Sequence, residues 1–214
     1  MNPKLFEQCK FIQTHAPECT VSLSTNGVLL TDDAVKRISE LENIKFINFS
    51  LYAGTKETYS DIIGLDYDKV VGRVSKAIST LSETRPDMRL CVGSTSDTRF
   101  VPSDKDRESL VSQFGDLVSF HTISFNSQHC MPSMERIEPS RDPCANPFVS
   151  VVVYNDGKVG LCVFDVNGDL TIGDVTKTTL LEAVYSDIAQ KYRHVHSCGC
   201  RDVIPLCRSC TQPR

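Results

Sequence analysis

The sequence predicts an α/β protein in two parts, with parallel strands alternating with helices over residues 1–126 and a small β-hairpin plus helix domain over residues 144–214. Three observations predict it. Strand-period and helix-period stretches alternate as far as Phe125. The periodicity then stops, and Pro132, Pro139 and Pro143 punctuate a linker over residues 127–143. After the linker, six of the ten cysteines fall between Cys144 and Cys210.

Pro3 to Ala16 reads as a helix with Leu5, Cys9, Ile12 and Ala16 on one stripe, Pro3 in its first turn and Pro17 ending it. Thr20 to Thr25 alternates as a strand, and Asn26-Gly27 supplies the turn that leaves it. Thr31 caps a helix with Asp32 and Asp33 at the positive end of its dipole and Ala34, Val35, Ile38 and Leu41 facing inward. Lys45 to Leu51 is the next strand, and Val70, Val71, Val74, Ala77, Ile78 and Leu81 form the apolar face of a long helix. A strand over Arg89 to Gly93, a capped helix over Ser103 to Phe114 and a strand over Leu117 to Phe125 continue the alternation. Such alternation implies parallel βαβ units, with any site at the carboxyl ends of the strands. In the second part, Phe148 to Tyr154 and Lys158 to Val163 form a hairpin about Asn155-Asp156-Gly157. The capping box Thr179 to Glu182 then opens a helix with Leu181, Val184, Tyr185 and Ile188 on its buried side.

A chain of 214 residues, 40% of them hydrophobic, can bury one good core with a smaller appendage. Its net charge of −4 and the lack of any dense Lys/Arg run argue against nucleic acid and anionic membrane, leaving small molecules or proteins as partners. The N-terminus has no uninterrupted apolar stretch and no segment approaches membrane-span length, so a cytoplasmic location is expected. In a reducing compartment clustered thiols serve metals more often than disulfides.

Cys144 opens the first hairpin strand and Cys162 ends the second, so pairing brings both thiols to one end. Cys207-x2-Cys210 offers two more from a tight loop, completing a tetrathiolate. Four thiolates suit zinc and a 4Fe-4S cluster equally, and spacing leaves the two open. Cys198 and Cys200 are reserve ligands, because single-residue spacing points extended side chains apart. Cys9 lies on a buried stripe, Cys19, Cys91 and Cys130 are isolated, and none of the four is assigned chemistry. His194 and His196 read as helix-end or surface residues, Asp165 and Asp174 as turn or cap residues. No catalytic residue can be named.

CANPFVSVVVYNDGKVGLC resembles the opening of the SPASM domain, a cysteine followed by Gly157 and then Cys162 with gaps of twelve and four residues. The Ile-Gly-Asp turn, the helix after it and IPLCRSC resemble the rest of a one-cluster version of that domain. LSTNGVLLTDD and INFSLYAGTKETY are similar to the later part of a radical S-adenosylmethionine barrel. The resemblance implies a partial radical-SAM-type (β/α) barrel with parallel strands, followed by a SPASM-like β-hairpin plus helix domain. It implies one auxiliary 4Fe-4S cluster on Cys144, Cys162, Cys207 and Cys210, and an approach to S-adenosylmethionine by Ser24, Asn26 and Ser50 at strand ends.

The family's CxxxCxxC loop and Gly-Gly-Glu-Pro segment do not occur in this sequence. The expectation is therefore the C-terminal part of an enzyme that modifies a peptide, sugar or small molecule. Alone it should not cleave S-adenosylmethionine, and it would need an N-terminal segment, its own or a partner protein's. A non-catalytic binding module stapled by iron-sulfur or zinc is the alternative.

Overall fold

Successive residues of a strand face opposite sides of its sheet, and that alternation organises the first of two compact units, Met1–Ser124 and Phe125–Arg214. The computed structural model describes residues 4–95, 103–123, 144–208 and 210. Strands β1 (Val21–Thr25), β2 (Ile44–Tyr52), β3 (Arg89–Thr95) and β4 (Ser119–Ile123) form a parallel sheet in the order β1-β2-β3-β4. Helix α1 (Leu5–His15) precedes β1, α2 (Asp32–Ser39) follows it, α3 (Lys56–Ile62) and α4 (Tyr67–Thr84) follow β2, and α5 (Asp104–Phe114) follows β3.

Ile47, Phe49 and Leu51 of β2, with Leu90 and Val92 of β3, enter a core closed by the helices. All six apolar residues expected on the inner face of α4 are buried there. Each large side chain fully buried contributes roughly 1.5–3 kcal/mol, so this cluster is the main favourable term in the unit. The interleaved positions mix polar side chains with Phe46 and Cys91. Ser24, Asn48, Cys91 and Ser119 stand in register across all four strands and, with Phe46 and Arg89, line an open depression of about 640 Å³.

Three features of this unit differ from expectation. Helix α3 adds an element between the expected strand and the helix face that begins at Val70: Thr55 accepts from the Thr58 amide as its cap, and Tyr59 is buried beneath it. Leu117 belongs to a 3-10 turn, Gly115–Leu117, because Gly115 ends α5 at φ +50°, and β4 begins two residues later. Cys19 is exposed although Cys9 and Cys91 are buried. Phe125, the 127–143 linker and Cys130 lie outside the described residues.

One buried carboxylate joins β2 to α5. At the end of β2 the Ala53 amide donates to the Leu51 carbonyl at 2.8 Å across Tyr52, whose φ of +64° is left-handed. That is a γ-turn of the strained kind. Directly after it, Oδ1 of Asp106 accepts from the Gly54 amide (3.0 Å), the Thr55 amide (2.9 Å) and the Thr55 hydroxyl (3.0 Å). Oδ2 accepts from the Thr58 and Ser103 hydroxyls and closes the capping box of α5. Gly54 is required here, since a Cβ would sit 1.9 Å from the Asp106 carbonyl oxygen.

In the second unit, Pro147 changes the expected course. It lacks a donor for a strand ladder and its fixed φ suits a first helical turn, so Asn146–Val149 forms a short helix, α6, and Ser150 bonds back to the Asn146 carbonyl. The first hairpin strand is therefore only β5 (Val152–Val153), and Cys144 lies outside it. The turn at Asn155-Asp156-Gly157 forms as expected, with Gly157 at φ +89°. Its return strand β6 (Lys158–Gly160) also pairs with β7 (Thr171–Asp174), a strand where a turn was expected.

The predicted capping box at Thr179 and Glu182 is present, but its helix α7 (Leu180–Val184) ends early. Ser186 caps a second helix, α8 (Asp187–Ser197). The break resets the helical phase. Leu181 and Tyr185 are consequently 68% and 67% exposed and Ile188 is exposed too, while Ala183 and Ala189 pack on Val159, Leu161 and Ile172. A 3-10 turn (Arg201–Val203) and α9 (Pro205–Arg208) follow. Among the described residues no helix is long and apolar enough to cross a membrane.

Burial raises the Asp106 carboxyl pKa, but the hydrogen bonds from Ser103, Thr55 and Gly54 outweigh it and bring it down to about 2. Depression below the ordinary value means stability present above pH about 4 and lost as pH falls through about 2, on the order of 2 kcal/mol. Asp106→Ala leaves buried amides unpaired and should lower the unfolding free energy by about 3 kcal/mol. A urea titration followed by circular dichroism checks it, and the acid-induced loss near pH 2–4 should be smaller in the variant.

Candidate metal centre

Three stretches of sequence deliver thiols to one place in the second unit. Cys144, Cys162, Cys207 and Cys210 line a single pocket with Asn146, Tyr192, His196 and Arg201. None of the four is in a disulfide. Although Cys144 is not in a strand, the α6 turn places it beside Cys162, whose sulfur lies 4.0 Å from the Asn146 amide nitrogen.

Each stretch is held by a side chain reaching from elsewhere in the unit. Arg193 of α8 donates to the Pro147 carbonyl at 2.8 Å and to the Val184 carbonyl at 2.6 Å, tying α6 to the junction of α7 and α8. Buried Asp165 accepts from the Asp169 and Leu170 amides at 2.9 and 2.7 Å, and its own amide bonds to the Cys162 carbonyl. The Tyr154 hydroxyl donates to the Asp165 carbonyl. Asp165 and Asp174 thus act as turn residues, Asp174 accepting from the Thr176 amide and hydroxyl. Buried Arg201 donates from Nη2 to the Cys207 carbonyl at 3.0 Å and the Cys210 carbonyl at 3.1 Å, and from Nε to Cys207 again at 3.3 Å.

The thiols feel one another. Burial, then the charges of Cys144 and Cys210, push the Cys162 thiol up against opposing bonds from Phe164 and Asn146. Burial and the neighbouring Cys162 push Cys207 up to about 12. Thiols in this state ionise only when a cation or cluster takes them, so loading releases protons. Among the described residues, no group of three or more His, Cys, Asp or Glu is spaced to hold a single metal ion.

Cys198 and Cys200 are exposed and do not line the pocket, the Cys198 sulfur lying 3.7 Å from the His194 ring. His196 was read as a helix-end or surface residue. It is buried, with Nε2 at 3.5 Å from the Cys207 sulfur. The signal available for it was its position on α8 just before the cysteine coil; its approach to Cys207 depends on how the coil returns.

Of the residues considered for S-adenosylmethionine, Ser24 lies in β1 opposite Asn48, exposed on the polar sheet face. The Ser50 hydroxyl accepts from the Asn48 amide at 3.2 Å, joining that face. Asn26 accepts from the Val28 amide at 3.2 Å in the turn after β1. Ser24 and Asn26 also border an apolar cleft between α1 and α2.

A parallel β/α unit and, after it in sequence, a small domain in which four free thiols line one pocket define an α/β protein with a candidate cysteine-built site. More particularly, residues 144–211 match the model of SPASM, an iron-sulfur cluster-binding domain. No curated protein matches the sequence. Among solved structures it is similar to BtrN in complex with AdoMet and 2-DOIA, at 15% identity and TM-score 0.51, over 99% of this chain and 80% of that one. It is similar also to native anSMEcpe with bound AdoMet and Kp18Cys peptide, at 16% identity and TM-score 0.60, over 97% and 71%. Tagged anSMEcpe with bound AdoMet gives 15% identity and TM-score 0.59 over 91% of this chain, which spans only 63% of that protein. At such identity the likeness is one of fold, shared with those AdoMet-bound proteins.

In protein stripped by a chelator, iodoacetamide at pH 8 should alkylate exposed Cys19, Cys198 and Cys200 well before Cys207, whose burial pushes its thiol up and keeps it protonated. Peptide mass mapping against time checks the order.

Proposed function

We propose that this protein binds one auxiliary 4Fe-4S cluster through Cys144, Cys162, Cys207 and Cys210, and works as the C-terminal part of a radical S-adenosylmethionine/SPASM enzyme that modifies a peptide, sugar or small molecule. The observation that carries this is the convergence of four free thiols, from three stretches of sequence, on one pocket within a SPASM domain. Four thiolates suit a single zinc as well as a cluster, and the match of residues 144–211 to an iron-sulfur cluster-binding domain favours the cluster. When bound, such a cluster supplies one-electron transfer.

The polar sheet face supports the second half of the reading. Ser24, Asn48, Ser50 and Arg89 put donors and acceptors on a face that the helices leave open, and Asn26 stands at the carboxyl end of β1, where ligands of open α/β sheets bind. AdoMet is bound in the solved structures of BtrN and anSMEcpe. Because these 214 residues contain no CxxxCxxC, the protein as it stands leaves S-adenosylmethionine intact and depends on a segment that brings that motif.

Anaerobic reconstitution should yield a brown protein with about four iron and four sulfide per chain. Cys207→Ser and Cys210→Ser should each lose most of that iron, and Cys9→Ser none. A colourless protein holding one zinc would overturn the cluster assignment. With dithionite the reconstituted chain should form no 5′-deoxyadenosine from S-adenosylmethionine, and formation of it would overturn the dependence on a further segment.

A further inference from the structure

A neutral imidazole carries one donor and one acceptor, and a ligated thiolate can only accept. That asymmetry makes His196 informative. It lies on the last turn of α8, buried, with Nε2 at 3.5 Å from the Cys207 sulfur. Its other nitrogen, Nδ1, is buried with no hydrogen-bond partner among the described residues. Two tautomers are available. With the proton on Nδ1, the ring would bury an unpaired N–H and turn its Nε2 lone pair on a thiolate. With the proton on Nε2, the ring donates to the sulfur and leaves bare only an acceptor, the less costly orphan. We propose that His196 donates a hydrogen bond from Nε2 to the Cys207 sulfur when that sulfur is a cluster ligand, and so raises the cluster's reduction potential. The inference rests on the iron-sulfur reading of the four thiols.

Two neighbours fix the geometry. Arg201 grips the Cys207 carbonyl, which limits how far that residue can move from the ring. Tyr192, one turn earlier on α8, lines the same pocket. Reduction adds negative charge to the cluster and its sulfurs, so an N–H donor stabilises the reduced form more than the oxidised one. His196 is thus a positioning and tuning residue, distinct from the four ligands.

The test uses the full chain, reconstituted anaerobically. Wild type, His196→Phe and His196→Gln are first assayed for iron and sulfide, then titrated potentiometrically with electron paramagnetic resonance as readout. His196→Phe should load fully and shift the reduction equilibrium at least tenfold towards the oxidised form, about 59 mV for one electron. His196→Gln, whose amide N–H can reach the same sulfur, should stay within about threefold of wild type. In wild type labelled with 15N-histidine, the reduced cluster should show a weak nitrogen coupling that His196→Phe lacks. An unchanged potential in fully loaded His196→Phe, or no weak nitrogen coupling in wild type, would overturn the proposal. Should His196→Phe fail to load, the labelled wild type decides alone. Wild type that takes up no iron and sulfide overturns the cluster reading itself, before His196 is in question.

Discussion

Buried polar groups have to be paired, and the loops of this protein meet that constraint through a few side chains that reach across the fold. Asp106 gathers the amides of Gly54 and Thr55 at the end of β2. Asp165 does the same for the loop after Cys162. Arg193 and Arg201 supply the complementary service, donating to carbonyls that α6 and the terminal coil leave free. Each replaces a missing ladder or helix bond with a charged, multidentate one. The segments they hold are those that carry Cys144, Cys162, Cys207 and Cys210 in one unit and the strained turn at Tyr52 in the other.

The two units separate their sources of stability differently. In the first, a large core under α2, α4 and α5 supports the sheet, and the sheet's other face is free to be polar. In the second, the core among the described residues is a small cluster of Val159, Leu161, Ile172, Ala183 and Ala189. So small a core contributes little by area, and charged side chains carry more of the organisation.

Much of the first unit was legible from sequence because its pattern is periodic. The inner face of α4, the caps at Thr31 and Ser103 and the parallel order of strands all follow from residues close in the chain. Helix α3 was missed because Thr55 to Ile62 is short and its burial rests on one residue, Tyr59. In the second unit the capping box at Thr179 was legible, yet the extent of its helix was not. Ser186 starts a new helix in a different phase, and so the residues expected inside, Leu181 and Tyr185, face out. Pro147 carried the signal against a strand at Phe148, outweighed in the reading by the alternation after it.

By itself the sequence determined which atoms are available: soft thiol donors at spacings a metal centre can use, and an alternation of strands and helices that admits a parallel sheet. Those properties are local and covalent. Only the tertiary structure decided that Cys144, Cys162, Cys207 and Cys210 share one pocket while Cys198 and Cys200 stay outside it. It also decided that His196 meets Cys207. Such contacts depend on how the terminal coil returns past α8, and that path is set by Arg201 satisfying two carbonyls, a bond with no periodic trace in the sequence.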